Sequence, residues 1–259
     1  MVFCEASIQY ADYRENSGCH GGGMGIGRAS ALRLARDGAH VAVIDRDADA
    51  IVEVVDAIGA AGGHAFAAIA DLLDTKAITD VFARIEADLG PVDVLVNNVG
   101  QSARERAKPF WEGDPEIWDF TLGISLRSTM VCTRQVINGM RERRLGRIIN
   151  MSSESAFYGH ELTIDYSAAK AGVLGFTRAL AGALAPCQIT VNAICPGLVR
   201  TRVMDQLPAD HIQNMAAAIP MGYIGEPDDI AAAVSFFASE GSRFITGQSL
   251  LVNGGKWMI

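Results

Sequence analysis

Three side chains near the middle of the chain have the types and spacing needed for proton transfer. Ile148-Ile149-Asn150-Met151-Ser152-Ser153 reads as a short apolar strand ending in hydroxyls, and Tyr166-Ser167-Ala168-Ala169-Lys170 opens a helix of small residues. Residues four apart share one helix face, about a turn from each other, so the Tyr166 phenol lies beside the Lys170 ammonium. Ser153 adds a hydroxyl from the end of a neighbouring strand. A hydroxyl, a phenol and an amine so gathered can move a proton onto or off an oxygen. The bland alternative is a surface Tyr–Lys pair and a strand-end serine, and the surrounding elements must decide between the two.

Those elements alternate without a break. Helical patterns run over residues 47–58, 75–89, 118–140, 166–185 and 227–239; apolar strands run over 65–70, 92–96, 147–151, 189–194 and 249–252. Asp74 or Thr75 caps the helix that Gly90-Pro91 ends. Strands that are apolar throughout, each followed by a helix, predict a parallel sheet covered on both faces. The fold expected is α/β: a single Rossmann-like, doubly wound parallel sheet with helices on both faces. No linker-like stretch interrupts it, so residues 1–259 are read as one domain.

A cofactor signal precedes the first of these helices. Gly21-Gly-Gly-Met-Gly25-Ile26-Gly27 leads into a helix and then the run Val41-Ala-Val-Ile44, closed by Asp45. A glycine turn, a helix and a strand ending in an acid form the second half of a dinucleotide-binding βαβ unit, with the helix N-terminus offered to a pyrophosphate. Asp45 is placed to accept from both adenosine-ribose hydroxyls and would repel a 2′-phosphate, which favours NAD over NADP. Arg46 pulls the other way, since a cation accommodates that phosphate. Asp45 as a plain helix N-cap is the alternative.

The first strand of the unit should lie just before Gly21, yet residues 10–20 show neither strand alternation nor helical periodicity. Two readings stay open. The first strand is weak or displaced, or the start of the chain is read out of frame. Codons for Glu15-Asn-Ser-Gly-Cys-His20, shifted by one base, permit an apolar strand such as Lys-Ile-Ala-Val-Val-Thr followed by glycine.

The composition, 49% apolar and 20% charged, fits a soluble globular protein. A net charge of −8 argues against nucleic acid or an anionic membrane as partner. Five cysteines (Cys4, Cys19, Cys132, Cys187, Cys195) show no metal-ligand spacing, so no metal is expected and free thiols in a reducing cytoplasm are. No stretch has the length of a membrane span or the pattern of a signal peptide.

Taken together, Gly21-x-x-x-Gly25-Ile26-Gly27, Asp71, Asn97-Asn98-Val99-Gly100, Ser153, Tyr166-x-x-x-Lys170, Pro196-Gly197 and Val252-Asn253-Gly254-Gly255 resemble the classical short-chain dehydrogenase/reductases in order and spacing, from about residue 21 to the C-terminus. The look is nearest to the 3-oxoacyl-carrier-protein reductases and the sugar or polyol dehydrogenases. The resemblance implies an NAD(P)-dependent enzyme interconverting a secondary alcohol and a ketone. Tyr166 would be its general acid–base. Lys170 would favour the phenolate of a side chain whose ordinary pKa is about 10, and would hydrogen-bond the nicotinamide ribose. Ser153 would hold the substrate oxygen. Asp71 and Leu72 would flank the adenine, and Asn98 would contact the ribose region while bracing the central strands. Pro196, Gly197, Val199 and Thr201 would close over the nicotinamide. Asp71 as a simple turn cap stays open.

The resemblance also implies a homotetramer, with contacts around Met130, Ala179 and the last strand. Ser125 departs from the pattern, standing where the family has a catalytic asparagine, and predicts a weakened or rearranged proton relay. Residues 198–219, with Met204, Leu207, Met215 and Ile219, read as a lid with an apolar underside, which suits a partly hydrophobic small-molecule substrate. Glu154, Tyr158 and His160 are further candidates to touch it. A catalytically impaired cofactor-binding protein is the alternative function.

Overall fold

The computed structural model describes residues 7–11 (as backbone), 25–102, 108–200, 204 and 208–259. Its framework is a seven-stranded sheet in the order β3-β2-β1-β4-β5-β6-β7, every neighbouring pair parallel. The strands are β1 (Ser7–Ala11), β2 (His40–Asp45), β3 (His64–Ile69), β4 (Val94–Asn97), β5 (Gly146–Met151), β6 (Ile189–Pro196) and β7 (Ser249–Val252). The helices are α1 (Gly25–Arg36), α2 (Ala48–Ala60), α3 (Thr75–Leu89), α4 (Pro115–Leu122), α5 (Ser128–Arg143), α6 (Ser155–Tyr158), α7 (Ile164–Leu184), α8 (Ala209–Ala217) and α9 (Pro227–Ala238).

Continuous apolar strands are what such a sheet needs, because both faces are covered. In β2, Val41 and Val43 join one cluster with Leu34, Ile51 and Phe237, whereas Ala42 and Ile44 join another with Ile78, Phe82 and Val136. β5 divides likewise between Ile149 and Ile148. Helices α1, α2 and α9 thus cover one face, and α3, α5 and α7 the other. The doubly wound α/β architecture read from the sequence is the one observed. Asp74 is the cap of α3, accepting from Lys76 N at 2.8 Å and Ala77 N at 3.3 Å.

One strand lies away from its expected place. β1 is not next to Gly21 but at Ser7–Ala11, in register with β2 (Tyr10 opposite Val43) and with β4 (Tyr10 opposite Val96). The slot between β2 and β4 presents two rows of backbone donors and acceptors that must be paired, and this segment pairs both. Gly21 and residues 12–24 lie outside the described residues. The chain runs β1 to β3 toward one edge and then crosses back to β4, so the strand order reverses at β1 and β4, where open α/β sheets form a ligand crevice.

The helix expected over 118–140 is interrupted. Between α4 and α5, Gly123–Arg127 make a π turn, the kind of helix irregularity that recurs at functional sites. Two further helices, α6 and α8, occupy stretches read as loop; α6 is a single turn, and α8 carries no buried residue to impose a strong apolar period.

Candidate active site

The carboxyl ends of five strands deliver side chains to one edge of the sheet. β5, buried along its whole length, ends at Met151 and hands the chain to Ser152 and Ser153. Ser152 N donates to Ile194 O at 2.7 Å, and its hydroxyl donates to Lys170 O at 2.8 Å, tying the strand end to α7. Ser153 Oγ accepts from Ser155 N at 3.2 Å and Ser155 Oγ at 3.0 Å, which leaves its own proton available to a substrate oxygen.

Lys170 is only 2% exposed, the largest fully buried side chain among the described residues. It reaches under the site to donate to Met151 O at 2.7 Å and Val99 O at 3.3 Å, and its Nζ stands 5.7 Å from the centre of the Tyr166 ring. Gly100 makes this reach possible, since a Cβ there would collide with Nζ. Burial lowers the Lys170 pKa from 10.5 to about 7, with the nearby Cys195 opposing the drop. Tyr166 and Lys170 are therefore brought together, and Ser153 follows directly on Ser152, whose hydroxyl is bonded to Lys170 O. Ser125, fully buried in the π turn, borders the same Gly100, but its Oγ is engaged by Gln101, accepting from its N at 3.2 Å and donating to its O at 3.4 Å.

The cofactor candidates line the crevice beside this group. Gly25 opens α1 at φ +70°, a left-handed conformation that favours glycine, with nothing within 4 Å of the place a Cβ would take. Ile26 and the buried Gly27 follow in the first turn. Asp45 ends β2 fully buried and accepts from Asp47 N at 2.9 Å; the capping of α2 falls to Asp47, so the N-cap reading of Asp45 does not hold. Arg46 is partly exposed next to it. Asp71 does support a turn, accepting from Leu73 N at 2.9 Å, and Leu72 is buried behind it. Pro196 accepts from Glu154 N at 2.9 Å, Gly197 N donates to Val252 O at 3.0 Å, and Val199 is bridged to Gly225. Gly21, Thr201 and Leu207 lie outside the described residues. A helix N-terminus, a buried acid at the adjacent strand end and a lysine under the crevice are a donor and acceptor set that fits a dinucleotide.

Asn97 braces the central strands: Asn97 Nδ2 donates to Asn150 Oδ1 at 2.8 Å and Thr133 Oγ1 at 3.0 Å. Asn150 Nδ2 continues to Thr177 Oγ1 at 2.9 Å. This buried polar chain links α5, β4, β5 and α7 and escaped the sequence reading. The signal was there, because an asparagine inside each of two otherwise apolar strands demands a partner. His160 is exposed, its Nδ1 accepting from Leu162 N at 3.3 Å. The lid candidates Met204 and Ile219 pack with Ile224 in a small cluster of their own, joined by Ile212 and Met215.

Known proteins resemble this chain in sequence and in fold. Residues 21–256 match the family described as enoyl-(acyl carrier protein) reductase. The (2S)-[(R)-hydroxy(phenyl)methyl]succinyl-CoA dehydrogenase subunit BbsD of Thauera aromatica is 39% identical over 236 residues, 91% of this chain and 94% of that protein. An acetoacetyl-CoA reductase of Shinella zoogloeoides is 38% identical over 240 residues, 92% and 97% of the two chains. The 3-oxoacyl-[acyl-carrier-protein] reductase FabG of Staphylococcus aureus strain N315 is 36% identical over 239 residues, 92% and 96% of the two. A crystal structure assigned provisionally as a gluconate dehydrogenase of Agrobacterium tumefaciens superposes with a TM-score of 0.88 at 26% identity, covering 98% of this chain and 96% of that one.

Proposed function

This chain belongs to the classical short-chain dehydrogenase/reductase family, an oxidoreductase acting on hydroxyl or keto groups, and we propose that it interconverts a secondary alcohol and a ketone with Tyr166 as general acid–base. The observation that carries the reading is Lys170, buried and held by two backbone carbonyls under the Tyr166 ring. NAD, when bound, supplies the hydride acceptor, and its reduced form the donor. In reduction the Ser153 hydroxyl donates a hydrogen bond to the carbonyl oxygen and fixes its position, while the Tyr166 hydroxyl gives that oxygen its proton. In oxidation the Tyr166 phenolate takes the alcohol proton, and a protonated Lys170 favours that phenolate. Burial opposes the charge on Lys170, whereas the carbonyls of Met151 and Val99 favour it, so the site holds this ammonium close to release.

Gly21, Gly25, Ile26 and Gly27 would hold the pyrophosphate, and Asp45 the adenosine ribose. Asp71 and Leu72 would flank the adenine, and Asn98, Lys170, Pro196, Gly197, Val199 and Thr201 would hold the nicotinamide side. Asp45 favours NAD over NADP. The small cluster around Met204 and Ile219 suits a lid that moves as a unit. The chain is read as one domain in a cytoplasmic homotetramer. Met130 and Ala179 are exposed on α5 and α7, and Leu250 is exposed on β7, as such contacts require. Among the described residues no helix is long and apolar enough to cross a membrane, and Cys132, Cys187 and Cys195 are free thiols.

The test is NADH and NADPH absorbance over a panel of ketones and alcohols, with cofactor-binding calorimetry alongside. Tyr166→Phe should bind cofactor as the wild type does and lose turnover by about 10²-fold or more. Cofactor binding with no turnover by the wild type on any panel member would favour the impaired cofactor-binding protein instead.

A further inference from the structure

Glu154 follows Ser153 directly and is 5% exposed, a burial that a carboxylate tolerates only when paired and hydrogen-bonded. Its partners come from three different segments. Oε1 accepts from Lys256 Nζ at 3.0 Å and from the Tyr158 hydroxyl at 3.3 Å. Oε2 accepts from Asn253 Nδ2 at 3.3 Å and lies 3.1 Å from the place a Cβ on Gly197 would take, so glycine gives the carboxylate its room. Asn253 Nδ2 also donates to Trp257 O at 3.0 Å, and Asn253 Oδ1 accepts from Gly255 N at 3.1 Å, which folds the end of the chain back on itself. The Trp257 ring thereby stands 5.7 Å from the Tyr158 ring, and Lys256 Nζ lies 5.8 Å from the centre of that same ring. Both aromatic rings keep about two-fifths of their surface open.

Simple stability is a poor account of this cluster. A buried ion pair does no better than apolar packing of the same volume, and β7 has already ended at Val252. What the cluster does is join the loop after β5, which carries Ser153, to the turn after β6 and the segment after β7.

We propose that Glu154 is a positioning residue whose carboxylate clasps residues 253–259 onto the loop that carries Ser153, so that Tyr158 and Trp257 form an aromatic wall selecting ketones and alcohols with a planar aryl group. The choice of substrate rests on the oxidoreductase reading above; the clasp does not. Two measurements on the full chain decide it. Amide hydrogen exchange in the 253–259 peptide should rise about tenfold in Glu154→Gln and in Lys256→Met but stay as in the wild type in Lys256→Arg, while peptides of the sheet do not change. The KM for an aryl methyl ketone should rise about tenfold in Glu154→Gln and in Trp257→Ala with kcat within about twofold, while the KM for a small aliphatic ketone moves less than about twofold. Lys256 is reached from the surface, so Lys256→Met tests the clasp even if Glu154→Gln folds poorly. Unchanged exchange in both variants overturns the clasp, and equal KM rises for the two ketones overturn the wall. If the wild type reduces neither ketone, the oxidoreductase reading is what suffers, and the exchange result alone upholds or overturns the clasp.

Discussion

Replacing Lys170 by methionine should change the pH dependence of stability in a way that reports the charge at the heart of the site. The folded chain holds this amine at a pKa of about 7, against 10.5 when it is free in water, and burial is the main cause. Between those values the unfolded chain keeps a proton that the folded chain has released, so stability rises with pH across the window. Below about pH 7 both states are protonated, and the cost of burying the charge is felt in full. At 1.36 kcal/mol per pH unit the whole window is worth about 5 kcal/mol, and the stretch from pH 7 to 9 about 2 kcal/mol, since the amine is half titrated at its own pKa. The narrower stretch is the better test, because the buried thiols Cys132 and Cys195, raised to about 12 and about 11, stay protonated in the folded chain there.

Methionine keeps an unbranched stem and removes the charge. It also leaves Met151 O and Val99 O without their donor, at about 1–3 kcal/mol each. That loss does not vary with pH, so it shifts the comparison without tilting it. Urea unfolding at pH 6, 7, 8 and 9 and constant ionic strength, extrapolated linearly, gives the difference in unfolding free energy between variant and wild type. Lys170→Met should fare best against the wild type at pH 6–7 and lose about 2 to 3 kcal/mol of that standing by pH 9. A difference that stays flat within about 0.5 kcal/mol would mean that the buried lysine keeps its proton, and the argument from burial would be wrong.

The remaining expectations concern the neighbours of this lysine and the start of the chain. Ser125→Asn should raise turnover and shift its pH profile if position 125 takes part in the proton relay; unchanged kinetics would remove Ser125 from the mechanism. Asp45→Ser should weaken NAD binding by about tenfold and bring NADP closer to parity, measured by calorimetry with each cofactor. Sequencing the coding DNA settles residues 15–20: an apolar strand in the shifted frame, restored in the codons for Gly21 to Gly23, supports a frame error, and its absence leaves Ser7–Ala11 as the first strand in its own right.

Much of the fold was legible because parallel strands with two covered faces must be apolar throughout, and Val41–Ile44 and Ile148–Ile149 announce themselves. Tyr166 and Lys170 were legible for the same kind of reason, since helical spacing alone sets them on one face. What escaped depends on contacts distant in sequence. Nothing near Asn97 says that Asn150 and Thr133 will accept from its Nδ2, 53 and 36 residues on. The π turn at Gly123–Arg127 has no periodic signature of its own, because one residue too many in a turn looks like ordinary helix. β1 was sought beside Gly21, where the βαβ pattern puts it, and sheet pairing places it earlier in the chain.

Four departures from ordinary rules share one location, while Arg144 and Gln188, left-handed in φ, and the buried Arg147 stand at the opposite ends of β5 and β6. A fully buried lysine, a buried carboxylate beside Ser153, a π turn around Ser125 and a left-handed glycine at the head of α1 all stand at the carboxyl edge of the sheet. Away from that edge the two apolar clusters on either face show the packing expected of a doubly wound sheet. Each departure is unfavourable locally, and the clusters offset it. The gathering of these four around Ser153, Tyr166 and Lys170 is the pattern expected when local consistency is given up for a site. That pattern supports an active oxidoreductase over a chain that only binds its cofactor, because binding alone would need the α1 glycine, Asp45 and Lys170 but neither the Tyr166 phenol set beside that lysine nor the Glu154 cluster.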